Sequence, residues 1–436
     1  MSGYVENSKN LEWGGSIPAS WCKIRAKFLL KRLRLPPPEG EEVVTAFRDG
    51  QVTLRENRRT EGFTFSNKEI GYQGVREGDL VIHSMDGFAG AIGVSESTGK
   101  CSPVYVVCET GPGVVARFYA YVMRHMALSG YIASLAKGIR ERSTSFGWGE
   151  IKEQWLPSLN IDEQKAIADF LDRKTAAIDA LIEKKQKLLD LLAEKRAALI
   201  NQAVTKGLDP NVPMKDSGIP WIGEIPAHWE VKRLKNVLVN GLRNGLFKKK
   251  DEYGRGTALV NVGDVYSDTF QVRWENLDRV NATSSEQRAF RVQHGDIFFV
   301  RSSLKLEGVA ASACLLDPPE KTVFECHLVG ARPDINQAEP VYVANLLNSS
   351  LTRQRLISLS TTTTMTTIAQ DRIADIRLPL PPIDEQHEIS KRIMLVHKHL
   401  ADMCAIVEQQ HERLQEYRQA LITECVTGKL LIEAEK

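Results

Sequence analysis

Two stretches carry residue types that could support group transfer. Asp317-Pro318-Pro319-Glu320 has the outline of an Asp-Pro-Pro-aromatic box, in which a ring stacks on a base swung out of its duplex for modification. Glu320 stands where that ring is needed, and no glycine-rich cofactor loop precedes it, so the residues predict a structural turn. Gly99-Lys100 invites comparison with a phosphate loop. Gly93, however, lies one residue too far upstream, and Cys101 replaces the hydroxyl that would hold magnesium. His397 and His399 are two apart in a helical stretch and point to different sides, which does not suit a metal pair. No carboxylate cluster has nuclease-like spacing. The expected chemistry is therefore recognition, with no catalytic residue and no metal ligand assigned.

The charged residues point to an anion. Net charge is only +2, but its distribution is uneven. Lys23, Arg25, Lys27, Lys31, Arg32 and Arg34 form one run without an acid; Lys232, Arg233, Lys235, Arg243, Lys248, Lys249 and Lys250 form another. Either run alone would be read as a solvated face. Both follow a tryptophan motif, Trp13-Gly14-Gly15-Ser16-Ile17-Pro18-Ala19-Ser20-Trp21 or Trp221-Ile222-Gly223-Glu224-Ile225-Pro226-Ala227-His228-Trp229, and recurrence at one place in a repeat favours anion-binding surfaces. The four tryptophans at the ends of these motifs are expected in the core, against helix ends.

The elements that position these residues also repeat. Ile161-Asp162-Glu163-Gln164 returns as Ile383-Asp384-Glu385-Gln386, 222 positions later, and the offset holds to Leu208 and Leu430. A repeat of this period indicates a duplicated domain-plus-helix module. The spacing predicts a helix from Ile161 to about Val204, with Asp162 as cap or first-turn acid and Gly207 ending it, and a second from Asp384 to about Val426, ended by Gly428. At 1.5 Å per residue each is a rod of about 60 Å. A heptad reading places Ile167, Leu171, Lys174, Ile178, Leu181, Lys185, Leu188, Leu192, Lys195 and Leu199 on one seam. It places Ile389, Ile393, Val396, Leu400, Met403, Val407, Gln410, Leu414, Tyr417 and Leu421 on the other. Two mixed regions precede the helices, with strands expected at 78–84, 101–107, 151–156, 295–303, 326–332 and 373–378, and helices at 117–136 and 341–356. The fold class is thus α/β (α+β), duplicated, with two long helices in an antiparallel, coiled-coil-like, pseudo-twofold pair. The domains run 1–157, 158–210, 211–380 and 381–436.

The remaining composition bounds the class. Seven cysteines without a C-x-x-C pair suggest reduced thiols and a cytoplasmic protein. No apolar run reaches the roughly 18 residues of a membrane span, and no signal-peptide core is evident at the N-terminus.

Lys215-Asp216-Ser217-Gly218-Ile219-Pro220 running into the second tryptophan motif, Leu378-Pro379-Leu380-Pro381-Pro382-Ile383-Asp384-Glu385-Gln386, and the Leu/Lys/Glu-rich helices together resemble the specificity subunit of a type I restriction–modification system. The likeness covers the whole chain in the family's order; Leu156-Pro157-Ser158-Leu159-Asn160 departs from it, lacking the usual double proline before the first Glu-Gln. The resemblance implies that each recognition domain reads part of a split, asymmetric target in double-stranded DNA. It implies partners as well: two methyltransferase subunits on the helices and two motor-nuclease subunits. S-adenosylmethionine, ATP and Mg²⁺ would belong to those partners, and no membrane is involved. On this reading DNA contacts fall to Lys31, Arg32, Arg34, His83, Ser84, Arg140, Arg142, Ser143 and Thr144 in the first domain. In the second they fall to Arg243, Lys248, Lys249, Lys250, Arg301, Ser302, Ser303, Lys305 and the threonine tract 361–367, with Thr363 and Thr364 at its centre. Two alternatives stand beside it: a recognition subunit of a methylating endonuclease that cuts near its site, and a coiled-coil scaffold without a nucleic-acid role, which would not need paired basic runs.

Overall fold

The structure is a computed structural model describing residues 5–6, 9–37, 40–58, 70–135, 146–318 and 320–432. It is a mixture of helix and strand that divides into two compact units, Met1–Gln186 with Gln409–Lys436, and Lys187–Glu408. Each unit holds part of both long helices, Ile161–Lys206 and Ile383–Val426.

The first unit is built on a four-stranded antiparallel sheet in the order Ile92–Val94, Leu80–His83, Tyr105–Thr110, Leu30–Leu33. Alternate side chains leave opposite faces, as a pleat requires. Leu80, Ile82, Val106 and Cys108 meet Phe118, Tyr119, Val122 and Met126 of the helix Ala116–Leu128. Val81, Tyr105 and Val107 pack on Val44, Val52 and Val75 on the other face. Gly93 is required on the edge strand, because a Cβ there would overlap the carbonyl oxygen of Gly50.

The second unit repeats this order with different residues. Its strands are Ser312–Cys314, Ile297–Val300, Leu328–Ala331 and Arg243–Asn244, again all antiparallel. Ile297, Phe299 and Val329 face the helix Pro340–Asn348, while Phe298, Val300 and Leu328 face a second cluster containing Val260 and Phe324. Both central strands enter through a Gly-Asp turn. Asp79 Oδ2 accepts the Arg76 amide and Asp296 Oδ2 the Gln293 amide, each at 2.9 Å.

The repeated Gln of the Ile-Asp-Glu-Gln motifs has one task in both units. Buried Gln164 accepts from the Val115 amide at 2.8 Å and donates to the Gly113 and Leu159 carbonyls. Buried Gln386 accepts from the Glu339 amide at 2.9 Å and donates to the Gln337 and Pro381 carbonyls. One amide thus ties the domain helix to the start of the long helix by satisfying backbone groups that would otherwise be orphaned. Asn160, rather than Asp162, caps the first long helix, accepting the Glu163 amide at 2.8 Å.

Several expectations shift. The return strands begin later than read: Trp148–Ile151 and Gln370–Ala374 are short helical turns, and the strands are Trp155–Ser158 and Arg377–Leu380. Ile151 and Ile373 owe their apolar character to burial on those turns. The 101–107 strand is broken at Pro103, leaving Gly99–Cys101 and Tyr105–Thr110. The expected helix 117–136 is two, Ala116–Leu128 and Tyr131–Leu135, as is 341–356. Of the residues read onto the seams, Leu171, Ile178, Leu192, Ile393, Leu400, Val407 and Leu421 are buried, whereas Leu199 is exposed and Ile200 is buried beside it. Thr175, Ile182, Leu189 and Arg196 face inward where Lys174, Leu181, Leu188 and Lys195 were expected; His397, Cys404, His411 and Arg418 replace Val396, Met403, Gln410 and Tyr417. The stripe steps by four and then three, so one intermediate position moves by about 100°. In the first unit Arg418 pairs with Asp179 and Lys185 with Gln410, so the two helical segments there run in opposite directions.

Candidate nucleic-acid interface

In the second unit the central strand Ile297–Val300 delivers Arg301 to the end of the sheet, held by hydrogen bonds from its amide to His327 O and from the Ile368 amide to its carbonyl. Asn244, at the end of the adjoining edge strand, lies beside it: Arg301 Nη1 is 3.5 Å from Asn244 Oδ1, and Gln370 Nε2 is 2.6 Å from the same oxygen. An exposed arginine, an exposed asparagine and a half-buried glutamine therefore meet at one edge. These are the side chains able to make paired hydrogen bonds to guanine and adenine.

The threonine tract is regular structure. Thr361–Thr362 and Thr366–Thr367 form a hairpin, and Thr366–Thr367 pairs antiparallel with Ser302–Ser303. Thr363 and Thr364 are exposed at its tip, whereas Ser303 is buried. Arg301, Ser302, Thr363 and Thr364 thus share one patch, with Lys305 and Leu304 exposed on the following turn.

Two predicted contacts are structural. Arg243 Nη2 is 3.0 Å from Asp296 Oδ2 and donates to Arg291 O; Asp296, 1% exposed, also takes Arg332 in a two-bonded pair. Lys248 is covered and sits between Glu252 at 2.8 Å and Glu286 at 3.1 Å. The acid-free run misled because its counter-charges lie outside it in sequence. Lys249 and Lys250 are exposed and form no ion pair among the described residues.

In the first unit Arg34 is exposed and Arg32 half-buried with its Nε unpartnered; both line a cleft with Tyr72 and Gln73. Lys31 is exposed, 3.8 Å from Glu109. His83 is a satisfied strand-end histidine: its Nδ1 accepts the Asp86 amide at 3.0 Å, its ring meets Tyr105 edge-on, and burial lowers its pKa. Ser84 Oγ donates to Val104 O. Arg140, Arg142, Ser143 and Thr144 lie outside the described residues. Sequence reading missed Arg48, Arg55 and Arg58, which gather with His83 around a cleft of about 620 Å³, and in the second unit Asn244 and Gln370. Nothing short of strand pairing links residues so far apart in the chain.

Trp13, Trp21 and Trp229 are buried, Trp21 beside Gly428 and Trp229 beside Gly207, at the ends of the long helices. Trp221 is instead half-buried beneath Arg355. Asp317 has a left-handed backbone at φ +45° outside any helix or strand, Pro319 lies outside the described residues, and Glu320 pairs with Arg279 at 2.6 Å. Glu325, Cys326 and His327 bring three potential metal ligands within 4.8 Å of one another. Burial and the Glu325 carboxylate push the Cys326 thiol up, away from the thiolate a metal needs. No described helix is long and apolar enough to cross a membrane.

Residues 226–403 match the family described as the type I restriction modification DNA specificity domain. A putative type I restriction enzyme MjaX specificity subunit from Methanocaldococcus jannaschii is 28% identical over 172 residues, and the match spans only 40% of that protein's length and 39% of this chain. The type I restriction enzyme EcoKI specificity subunit of Escherichia coli is 22% identical over 95% of this chain and 90% of its own. Among solved structures, a chain from a study of complex assembly and conformational transition in the type I R-M system aligns over 95% of this chain and all of its own, with TM-score 0.63 and 15% identity. The HsdS subunit from Thermoanaerobacter tengcongensis aligns over 95% of this chain and 98% of its own, with TM-score 0.50 and 14% identity. With a matching domain at residues 226–403 and relatives of one kind along nearly the full length, the chain is similar to the specificity subunits of type I restriction–modification systems.

Proposed function

We propose that this chain is the DNA-reading subunit of a type I complex, each unit reading one half of a bipartite, asymmetric target. The observation that carries this is the meeting of Arg301, Asn244 and Gln370 at one sheet end, beside hydroxyl-bearing strands. Phosphate contacts from Lys249, Lys250 and Lys305 would fix register; the three planar side chains would read base edges. In the first unit Arg34 and Ser84 are the matching candidates, with Arg140, Arg142, Ser143 and Thr144.

The common strand order, the two Gly-Asp turns and the paired glutamines support a duplicated module whose long helices act as a coiled-coil spacer. The domains are proposed at 1–157 and 211–380, with spacer helices at 158–210 and 381–436. Two methyltransferase subunits would dock on those helices and two motor-nuclease subunits would join them. S-adenosylmethionine, ATP and Mg²⁺ would be held by the partners, with this chain doing no chemistry itself.

The test is a map of methylated sites in a host carrying the complete system, before and after residues 22–157 are exchanged for the matching domain of a relative. One half of the site should change and the other persist. A folded, assembled chimera that alters both halves refutes independent reading.

A further inference from the structure

The helix Ala116–Leu128 buries a charge, Arg124, that forms no ion pair among the described residues. Arg124 is 9% exposed, and its Nε is buried with no hydrogen-bond partner. Its neighbours are all matched: Arg117 pairs with Asp169 and Asp172, and Arg418 takes Asp179 through two hydrogen bonds. Burial, helped by repulsion from Arg418, pushes the Arg124 pKa down to about 10, which leaves it charged at neutral pH. An unpaired buried cation loses its hydration without replacement, so folding alone does not favour it.

The surroundings are shaped for this side chain. Arg124 lines a cleft of about 480 Å³ with Gly50, Gly93, Ser95 and Tyr121. Gly50, at φ +94°, leaves the slot in which the guanidinium lies, since a Cβ there would collide with Arg124 Cζ, Nε and Nη1. The second unit shows what the position requires structurally. Tyr119 and Tyr342 both donate from their hydroxyls to a proline carbonyl, Pro157 or Pro379. Five residues beyond each tyrosine stand Arg124 and Leu347, and Leu347 is fully buried. An apolar residue suffices there for packing.

We propose that Arg124 is the floor of an oxyanion site in the first unit, taking a single carboxylate or phosphate group from outside the chain. Glu77, Glu96 and Asp172 line the same cleft and would repel a polyanionic strand, so the fit is to a compact group with one anionic head. The group comes either as a free anion or as an acidic side chain carried by a protein partner.

Thermal unfolding of the full-length chain and of Arg124→Leu, in phosphate and in chloride at equal ionic strength, tests the site. Without phosphate the leucine variant should melt higher, having lost an unpaired charge. Phosphate should raise the midpoint of the unaltered chain and leave the variant unmoved. A second arm measures affinity for the purified methyltransferase chain, and only this arm rests on the function proposed above. If the acid comes from that partner, Arg124→Leu should bind about 30-fold or more weakly, as expected when one member of a buried charge pair is removed. Phosphate protection identifies a free anion, and loss of partner affinity alone identifies a carried carboxylate. Absence of both overturns the site, whether or not the partner binds the unaltered chain. Should the leucine variant fail to fold, Arg124→Gln carries the same comparison.

Discussion

Gln370 Nε2 lies 2.6 Å from Asn244 Oδ1, a contact spanning 126 positions of the chain, and Arg301 approaches the same oxygen. The glutamine starts a short helix, the asparagine ends an edge strand and the arginine follows the central strand. Each has spare donors or acceptors after these contacts, so the group can hold itself in place and still pair with a base edge.

Replacing Arg301 or Gln370 by alanine should therefore relax recognition at one position in one half of the target. The expected loss is about 1–3 kcal/mol of discrimination for each two-bonded contact. Binding titrations of the assembled complex on single-base variants, at fixed salt, measure it; a uniform loss across all sequences would show that these residues touch only phosphate.

The lysines should separate by partner. Lys249→Gln with Lys250→Gln should flatten the log–log salt dependence of DNA binding by up to about 0.9 per contact, through lost counterion release. Lys248→Gln should leave that slope unchanged, because Glu252 and Glu286 already hold its ammonium. An equal effect from Lys248 would contradict the structural role assigned to it.

Asp296→Asn should destabilise the second unit by about 3 kcal/mol, the lower end for breaking a buried ion pair, since Arg243 and Arg332 remain partly exposed. Urea unfolding reads the change. Retention of full stability would mean that water replaces the carboxylate at no cost.

His397 gives the second unit an acid-sensitive point. It is 5% exposed, with Nε2 3.2 Å from Asn345 Oδ1 and Nδ1 buried without a partner. Burial foremost, then repulsion from Arg196, lowers its pKa to about 4, with Asp268 acting weakly the other way. The folded value lies below the unfolded value of about 6.5, so the unfolded chain binds the proton first. Stability is complete above pH of about 6.5 and declines as pH falls toward about 4. The urea midpoint should drop between pH 7 and 5, and His397→Gln should shrink that drop; an identical decline in both proteins would assign the sensitivity elsewhere.

The residues by themselves determined what depends on local pattern. The two long helices follow from uninterrupted helix formers bounded by Gly207 and Gly428, both at positive φ, where glycine is favoured. The Gln motifs were legible as a repeat, but not in their task, since the Val115 and Glu339 amides they accept from lie 49 and 47 positions away. The family resemblance rested on those same segments. What the chain brings together from afar was decided only by tertiary structure. The seam moved by one residue at alternate places because apolar character at Leu181 and Tyr417 does not say which way a helix is turned. Arg243 left the candidate surface because its counter-charge, Asp296, is 53 positions away, and Lys248 because Glu286, 38 positions away, joins the neighbouring Glu252 on its ammonium. Asn244 and Gln370 entered it because strand pairing, which no single segment encodes, carried them to Arg301.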